Sequence, residues 1–261
     1  MKYALLFLLV LLAAMNCFAQ YSNPAKIVGT DHNLSHSTGG GVKADTFDQI
    51  CYFCHVPHQK LENTNTTIVT IGPSGIAPLW NKYLSTTTYN VYQSATLPVV
   101  PTNLTLANSA AGFNAAVESN LCLSCHDGTV GVNVLFKGDR SVANFPSVNG
   151  SGNGVPYLIG SASTDVVIGT DSTYGFQQEH PVNFDYSAAL AANPAGLAGY
   201  TTVGTRNFVQ TSAGHKLPLY GLTMQCGSCH DVHSNGVSRP FLRETTTQST
   251  LCLACHSGTG S

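Results

Sequence analysis

The sequence predicts a fold that is mostly coil, with short helices, a few short strands and little regular secondary structure. Bound groups, rather than a conventional apolar core, organise it. Three observations carry this expectation. No long stretch keeps a 3.6-residue apolar period. Charged residues are 9% of the 261, against about 25% in an ordinary soluble domain, and Gly, Ser, Thr and Asn take their place. All but one of the 9 cysteines fall into four pairs of identical spacing.

The chain opens on Lys2 and an apolar run over Tyr3–Ala14. That is a basic n-region and an h-region of about a dozen residues, short of the ~20 that span a bilayer. Cys17-Phe18-Ala19 places small residues at −3 and −1 of a cleavage before Gln20. The expectation is a signal peptide over 1–19 and a single mature unit over 20–261 with no membrane span. Ala14-Met15-Asn16 is a poor lipobox, which argues against a lipid-bearing Cys17. With 11 Lys+Arg against 13 Asp+Glu, the chain has no positive field with which to hold nucleic acid.

The cysteine pairs are Cys51/Cys54, Cys122/Cys125, Cys226/Cys229 and Cys252/Cys255. His55, His126, His230 and His256 follow them at once. C-x-x-C-H is the attachment motif of c-type haem. The two thiols add across the vinyl groups of the porphyrin, and the next residue lies beneath the ring, where its imidazole reaches the iron. Two Cys₄ zinc sites or a set of disulfides would also consume these cysteines. Neither requires a histidine after every pair, and only 10 of 261 residues are His. The expectation is four covalent haem c groups.

Met and His are the usual second ligands of a His-bound c-type iron. Of the 3 Met, Met1 and Met15 leave with the signal, and Met224 stands two residues before Cys226. The spare imidazoles are His32, His36, His58, His180, His215 and His233. His58 and His233 each follow a motif histidine by three residues. A neighbour so close cannot swing to the far face of the same iron, so each is expected to serve a different haem. Bis-His ligation also predicts low potentials, because Met/His ligation raises them.

The elements repeat. Cys51-Tyr-Phe-Cys-His-Val-Pro-His58 opens a unit that ends at Leu121-Cys-Leu-Ser-Cys-His-Asp127. Cys226-Gly-Ser-Cys-His-Asp-Val-His233 opens another, ending at Leu251-Cys-Leu-Ala-Cys-His-Ser257. The pairs therefore span 51–126 and 226–256. A Gly/Ser/Thr-rich insertion joins them. Each motif is expected to start or end a short helix. Residues 128–215 read as loops and short strands, and Pro73, Pro78, Pro98 and Pro101 break up the first unit's insertion.

These units resemble the doubled C-x-x-C-H domain of multihaem cytochromes c, with Arg239-Pro-Phe-Leu-Arg243 between the motifs of the second. Gly29-Thr-Asp-His-Asn-Leu-Ser35, Pro78-Leu-Trp-Asn81 and Glu179-His-Pro-Val182 extend the likeness to exported tetrahaem cytochromes, some of which polymerise into extracellular electron-conducting filaments. The resemblance implies His32 and His180 as distal ligands, with His36 and His215 as alternatives. It implies a non-enzymatic electron carrier, secreted to the cell surface or beyond. Its partners would be copies of itself and other redox proteins or extracellular acceptors. A soluble periplasmic shuttle is the alternative, and an oxyanion reductase a more distant one.

Overall fold

In the computed structural model the described residues are 24–37, 44, 47–55, 80–82, 89–101, 117–127, 132, 135, 175–212, 214–233 and 241–256. The expected signal over 1–19, His58, and the insertion from 136 to 174 lie outside them. The α-helices are α1 (Val117–His126), α2 (Tyr186–Ala192), α3 (Cys226–Cys229) and α4 (Thr250–Cys255). The strands are β1 (Phe184–Asp185), β2 (Tyr200–Val203), β3 (Arg206–Gln210), β4 (Lys216–Leu219) and β5 (Thr223–Met224). Single 3₁₀ turns occupy Pro24–Gly29, Ile50–Phe53, Gly175–Gln178 and Thr247–Ser249. Among the described residues the longest helix has 10 residues and the longest strand 5. The described part is thus the coil-rich, short-element fold that the sequence predicts. Among these residues no helix is long and apolar enough to cross a membrane.

Short elements here have local causes. β2, β3 and β4 form an antiparallel meander in that order. Val203 pairs with Arg206, so the β2–β3 loop is Gly204-Thr205. Gly204 takes φ 61°, the positive value that two-residue hairpin loops demand. Pro218 lies opposite Phe208 on β4. It is tolerated because β4 is an edge strand, where a missing N–H breaks no further ladder. The next turn is tighter. Tyr220 and Thr223 exchange backbone hydrogen bonds of 2.9 and 3.0 Å. Gly221 and Leu222 between them sit at φ 59° and 71°, the both-positive geometry of a type I′ turn. The turn delivers β5, which pairs with β1 and runs directly into α3.

Among the described residues, apolar packing includes three separate clusters. The largest joins Phe184, Tyr186, Ala189, Val209, Leu217, Leu219 and Met224 to Ala254 of α4. A second is Ala44, Phe53 and Val132; a third is Tyr89, Leu123 and Phe176. Each cluster takes one residue from a C-x-x-C-bearing helix: Ala254 from α4, Phe53 from Ile50–Phe53, Leu123 from α1. The packing therefore braces the motifs instead of forming one interior of its own.

Helix α2 starts on a side-chain cap. Asp185 Oδ1 accepts from Ala188 N at 3.0 Å and from Ser187 Oγ at 2.6 Å. These bonds, the Ser187 hydroxyl first, hold the Asp185 carboxyl below its ordinary pKa. Asp185→Ala should cost about 1 kcal/mol of stability. A depressed carboxylate stabilises above its unfolded pKa, and that contribution is lost as pH falls through the folded value. Thermal melts should therefore separate variant and wild type near neutral pH and converge in acid.

Candidate metal centres

Each C-x-x-C-H sequence folds as one helical turn. His55 N bonds Cys51 O at 2.8 Å, His230 N bonds Cys226 O at 3.0 Å, and His256 N bonds Cys252 O at 2.8 Å. His126 ends α1 in the same setting. This i to i−4 closure is one helical turn, which places the two cysteines, three residues apart, on the same face. The eight motif cysteines are free thiols. Burial pushes the Cys54 and Cys229 thiols up to about 12.

The spare histidines meet the motif histidines in pairs. The His32 and His126 rings stand with centroids 5.9 Å apart, His55 and His233 6.0 Å apart, and His180 and His256 6.3 Å apart. Metal–imidazole bonds run to about 2 Å. Two such bonds, plus the half-width of each ring, come to roughly 6 Å, the separation found in all three pairs. A haem iron needs only two protein donors, because the macrocycle supplies the rest. Among the described residues, no group of three or more His, Cys, Asp or Glu converges as a cage for a metal held by protein alone. The donor set therefore fits haem better than zinc.

The distal side chains are held individually. His180 Nδ1 lies 2.9 Å from the Pro181 carbonyl, which sets the tautomer and leaves Nε2 for a metal. Desolvation lowers its pKa. His32 is stacked on Phe241, with centroids 4.6 Å apart and planes within 8°. Its Nδ1 is buried without a hydrogen-bond partner. Burial, then the neighbouring His126, lowers its pKa to about 4. It is therefore neutral at physiological pH, the form that binds metal. Phe241 adopts φ 59°, an outlier for a bulky side chain. The alternatives face elsewhere. His36 is exposed. His215 Nδ1 pairs with Glu244 Oε2 at 2.8 Å. His58 lies outside the described residues.

Contacts between motifs link the two repeat units. Ser119 of α1 donates to Gln225 Oε1 at 2.5 Å and accepts from Cys226 N at 3.1 Å. Glu118 Oε2 accepts from Gly227 N at 3.0 Å. These bonds satisfy N–H groups that open α3 and bring Cys122 into hydrogen-bond contact with Cys226. Cys54 lies within electrostatic reach of Cys125, and Cys229 of Cys255. The four cysteine pairs thus neighbour one another in space in their chain order. The motif spacing marks the paired cysteines and the histidines that follow them, but Glu118, Ser119 and Gln225 carry no such spacing signature. Only Gly227, inside Cys226-Gly-Ser-Cys229, hints at a close approach there.

A family model for the doubled CXXCH motif matches residues 222–261. That span holds the third and fourth motifs, the marks of covalently bound c-type haem and of a multihaem c-type cytochrome. A comparison with curated proteins finds no match.

Met224 is 3% exposed and packs with Phe184, Leu217 and Leu219, so it is committed to the core. Met224→Leu should leave the visible spectrum of the haem-loaded protein unchanged and cost under about 1.5 kcal/mol. His180→Ala should turn one haem high-spin, whereas His215→Ala should turn none. Optical and paramagnetic resonance spectra of the two variants check both outcomes.

Proposed function

We propose that the mature chain is an exported electron-transfer cytochrome carrying four haem c groups, each held by two thioethers and two imidazoles. The observation that supports this reading most is the set of three imidazole pairs, each joining a motif histidine to a spare one at 5.9 to 6.3 Å. When bound, haem c supplies a one-electron ferric/ferrous couple. The chain does the rest. Cys51/Cys54, Cys122/Cys125, Cys226/Cys229 and Cys252/Cys255 tether the groups in sequence. His55, His126, His230 and His256 take one side of each ring. His32, His180 and His233, with His58 as the fourth, take the other. With both axial positions filled by protein, no position is left for a substrate, so the protein conducts and is not an enzyme.

His55 belongs to the first repeat unit and His233 to the second, so this pair locks the units together across the insertion. In this reading electrons pass along the four groups in the order in which the cysteine pairs neighbour one another. The low charge and the Gly/Thr-rich sequence suit a secreted protein that packs against copies of itself. His58 stands near the start of the mature chain and the last motif near its end. A His58 bond to a haem of the neighbouring copy would make a head-to-tail contact, which gives an open filament when the rotation does not close.

Intact mass should equal residues 20–261 plus four haems; a lower haem count or a retained 1–19 segment contradicts this. Electron microscopy should show filaments of the native protein. His58→Ala should abolish them and alter one haem. A wild type that is monomeric, with four low-spin haems, would instead be the periplasmic shuttle.

A further inference from the structure

Glu118 binds no haem, yet it lies between two haem-attachment motifs. It stands one helical turn before Cys122 in α1. Its Oε2 accepts from the N–H of Gly227 at 3.0 Å, inside the third motif. A Cβ at position 227 would run into Glu118 Oε1 and the Tyr220 hydroxyl. Glycine at that place is what lets the carboxyl and the phenol close over the peptide. Arg243 reaches the same peptide, with Nε donating to Gly227 O at 2.8 Å. Its Nη1 is already engaged by Asp231 at 3.2 Å. Two acidic side chains therefore share one guanidinium, and Asp231 holds the direct contact. The titratable and charged groups facing Glu118 are Tyr220 from the β4–β5 turn, Arg243 from the segment before α4 and Cys122 from its own helix, and Cys122 is in turn in contact with Cys226 of α3. Once haem is attached, both cysteines are thioethers and no longer titrate. Arg243 also bonds the Tyr220 hydroxyl.

We propose that Glu118 is a proton-binding site coupled to electron transfer, taking up a proton when a haem tethered at Cys122/Cys125 or Cys226/Cys229 takes up an electron. The inference rests on the cytochrome reading above. The step balances simply. One electron from a one-electron donor, a redox protein or an electrode, converts ferric iron to ferrous. One proton from water converts the Glu118 carboxylate to the neutral acid, and both leave on reoxidation.

Burial is the largest influence on Glu118, and the Gly227 N–H and Arg243 oppose it only in part, so its pKa is pushed up to about 7. Near neutral pH the carboxyl is thus divided between its two forms. An added negative charge on an adjacent haem favours the neutral one. The potential of that haem should consequently fall as pH rises through this range.

The test is redox titration of the haem-loaded protein at a series of pH values on both sides of neutrality, with infrared difference spectra recorded on reduction. Glu118→Gln keeps an acceptor oxygen for Gly227 N–H but cannot titrate. Wild type should show a pH-dependent potential and a protonated-carboxyl C=O band on reduction, and Glu118→Gln should lose both. If slope and band survive in Glu118→Gln, or if the haem-loaded wild type has pH-independent potentials, the proposal is overturned while the cytochrome reading stands. A wild type without a c-type haem spectrum would overturn that reading instead. Should Glu118→Gln load haem poorly, Glu118→Asp, which retains a shortened carboxyl, should shift the band, and an unshifted band would overturn the assignment.

Discussion

In the proposed reading, a flat metal-bearing ring ligated from both sides requires two imidazoles to face each other about 6 Å apart, and three imidazole pairs among the described residues have that spacing. The pairs join residues that are distant in the chain: His32 with His126, His55 with His233, and His180 with His256. Each pair closes a long loop. Closing long loops costs entropy that grows only slowly with length, which is why the large insertions between motifs are tolerated. In that reading, thioethers from the C-x-x-C pairs would fix the other edge of each ring. Between them, these bonds set the chain's course where a conventional domain would rely on periodic apolar faces.

The packing is consistent with this division of labour. Among the described residues the apolar packing includes one larger cluster and two of three buried residues each, and each of these touches a motif helix. Polar contacts brace the motifs further. Tyr89 donates to the buried Asp127, next to His126, at 2.6 Å. Trp80 Nε1 reaches Ser124 Oγ, inside the second motif, at 3.2 Å. Buried polar groups such as these are costly unless paired. Pairing them around the attachment sites holds the motif helices in a fixed orientation despite their shortness.

The sequence discloses the chemistry more fully than it does the scaffold. The C-x-x-C-H spacing marks the eight paired cysteines and the four histidines that follow them, because haem attachment needs that local order. The short helices at the motifs follow from the same turn. The placement of Met224 two residues before Cys226 argues against it as a ligand, and its packing among Phe184, Leu217 and Leu219 points the same way. Sequence alone leaves His32 and His36 undecided, since only the fold turns one inward onto Phe241 and leaves the other exposed. The first two strands of the meander and α2 fall within residues 128–215, which read as loops and short strands; α2 leaves no mark in the sequence, because a 7-residue helix is too short to show a period. Glu118 is invisible for another reason. Its surroundings come from α1, α3, the β4–β5 turn and Arg243, and no local pattern announces their meeting.

The account depends above all on iron held between paired imidazoles. Near-infrared magnetic circular dichroism of the fully ferric, haem-loaded protein tests that claim most directly, since it separates bis-imidazole, imidazole–thioether and open coordination. Four low-spin bis-imidazole haems, with no methionine-ligated or high-spin component, is the predicted spectrum. A substantial high-spin or methionine-ligated fraction in the wild-type protein would contradict it.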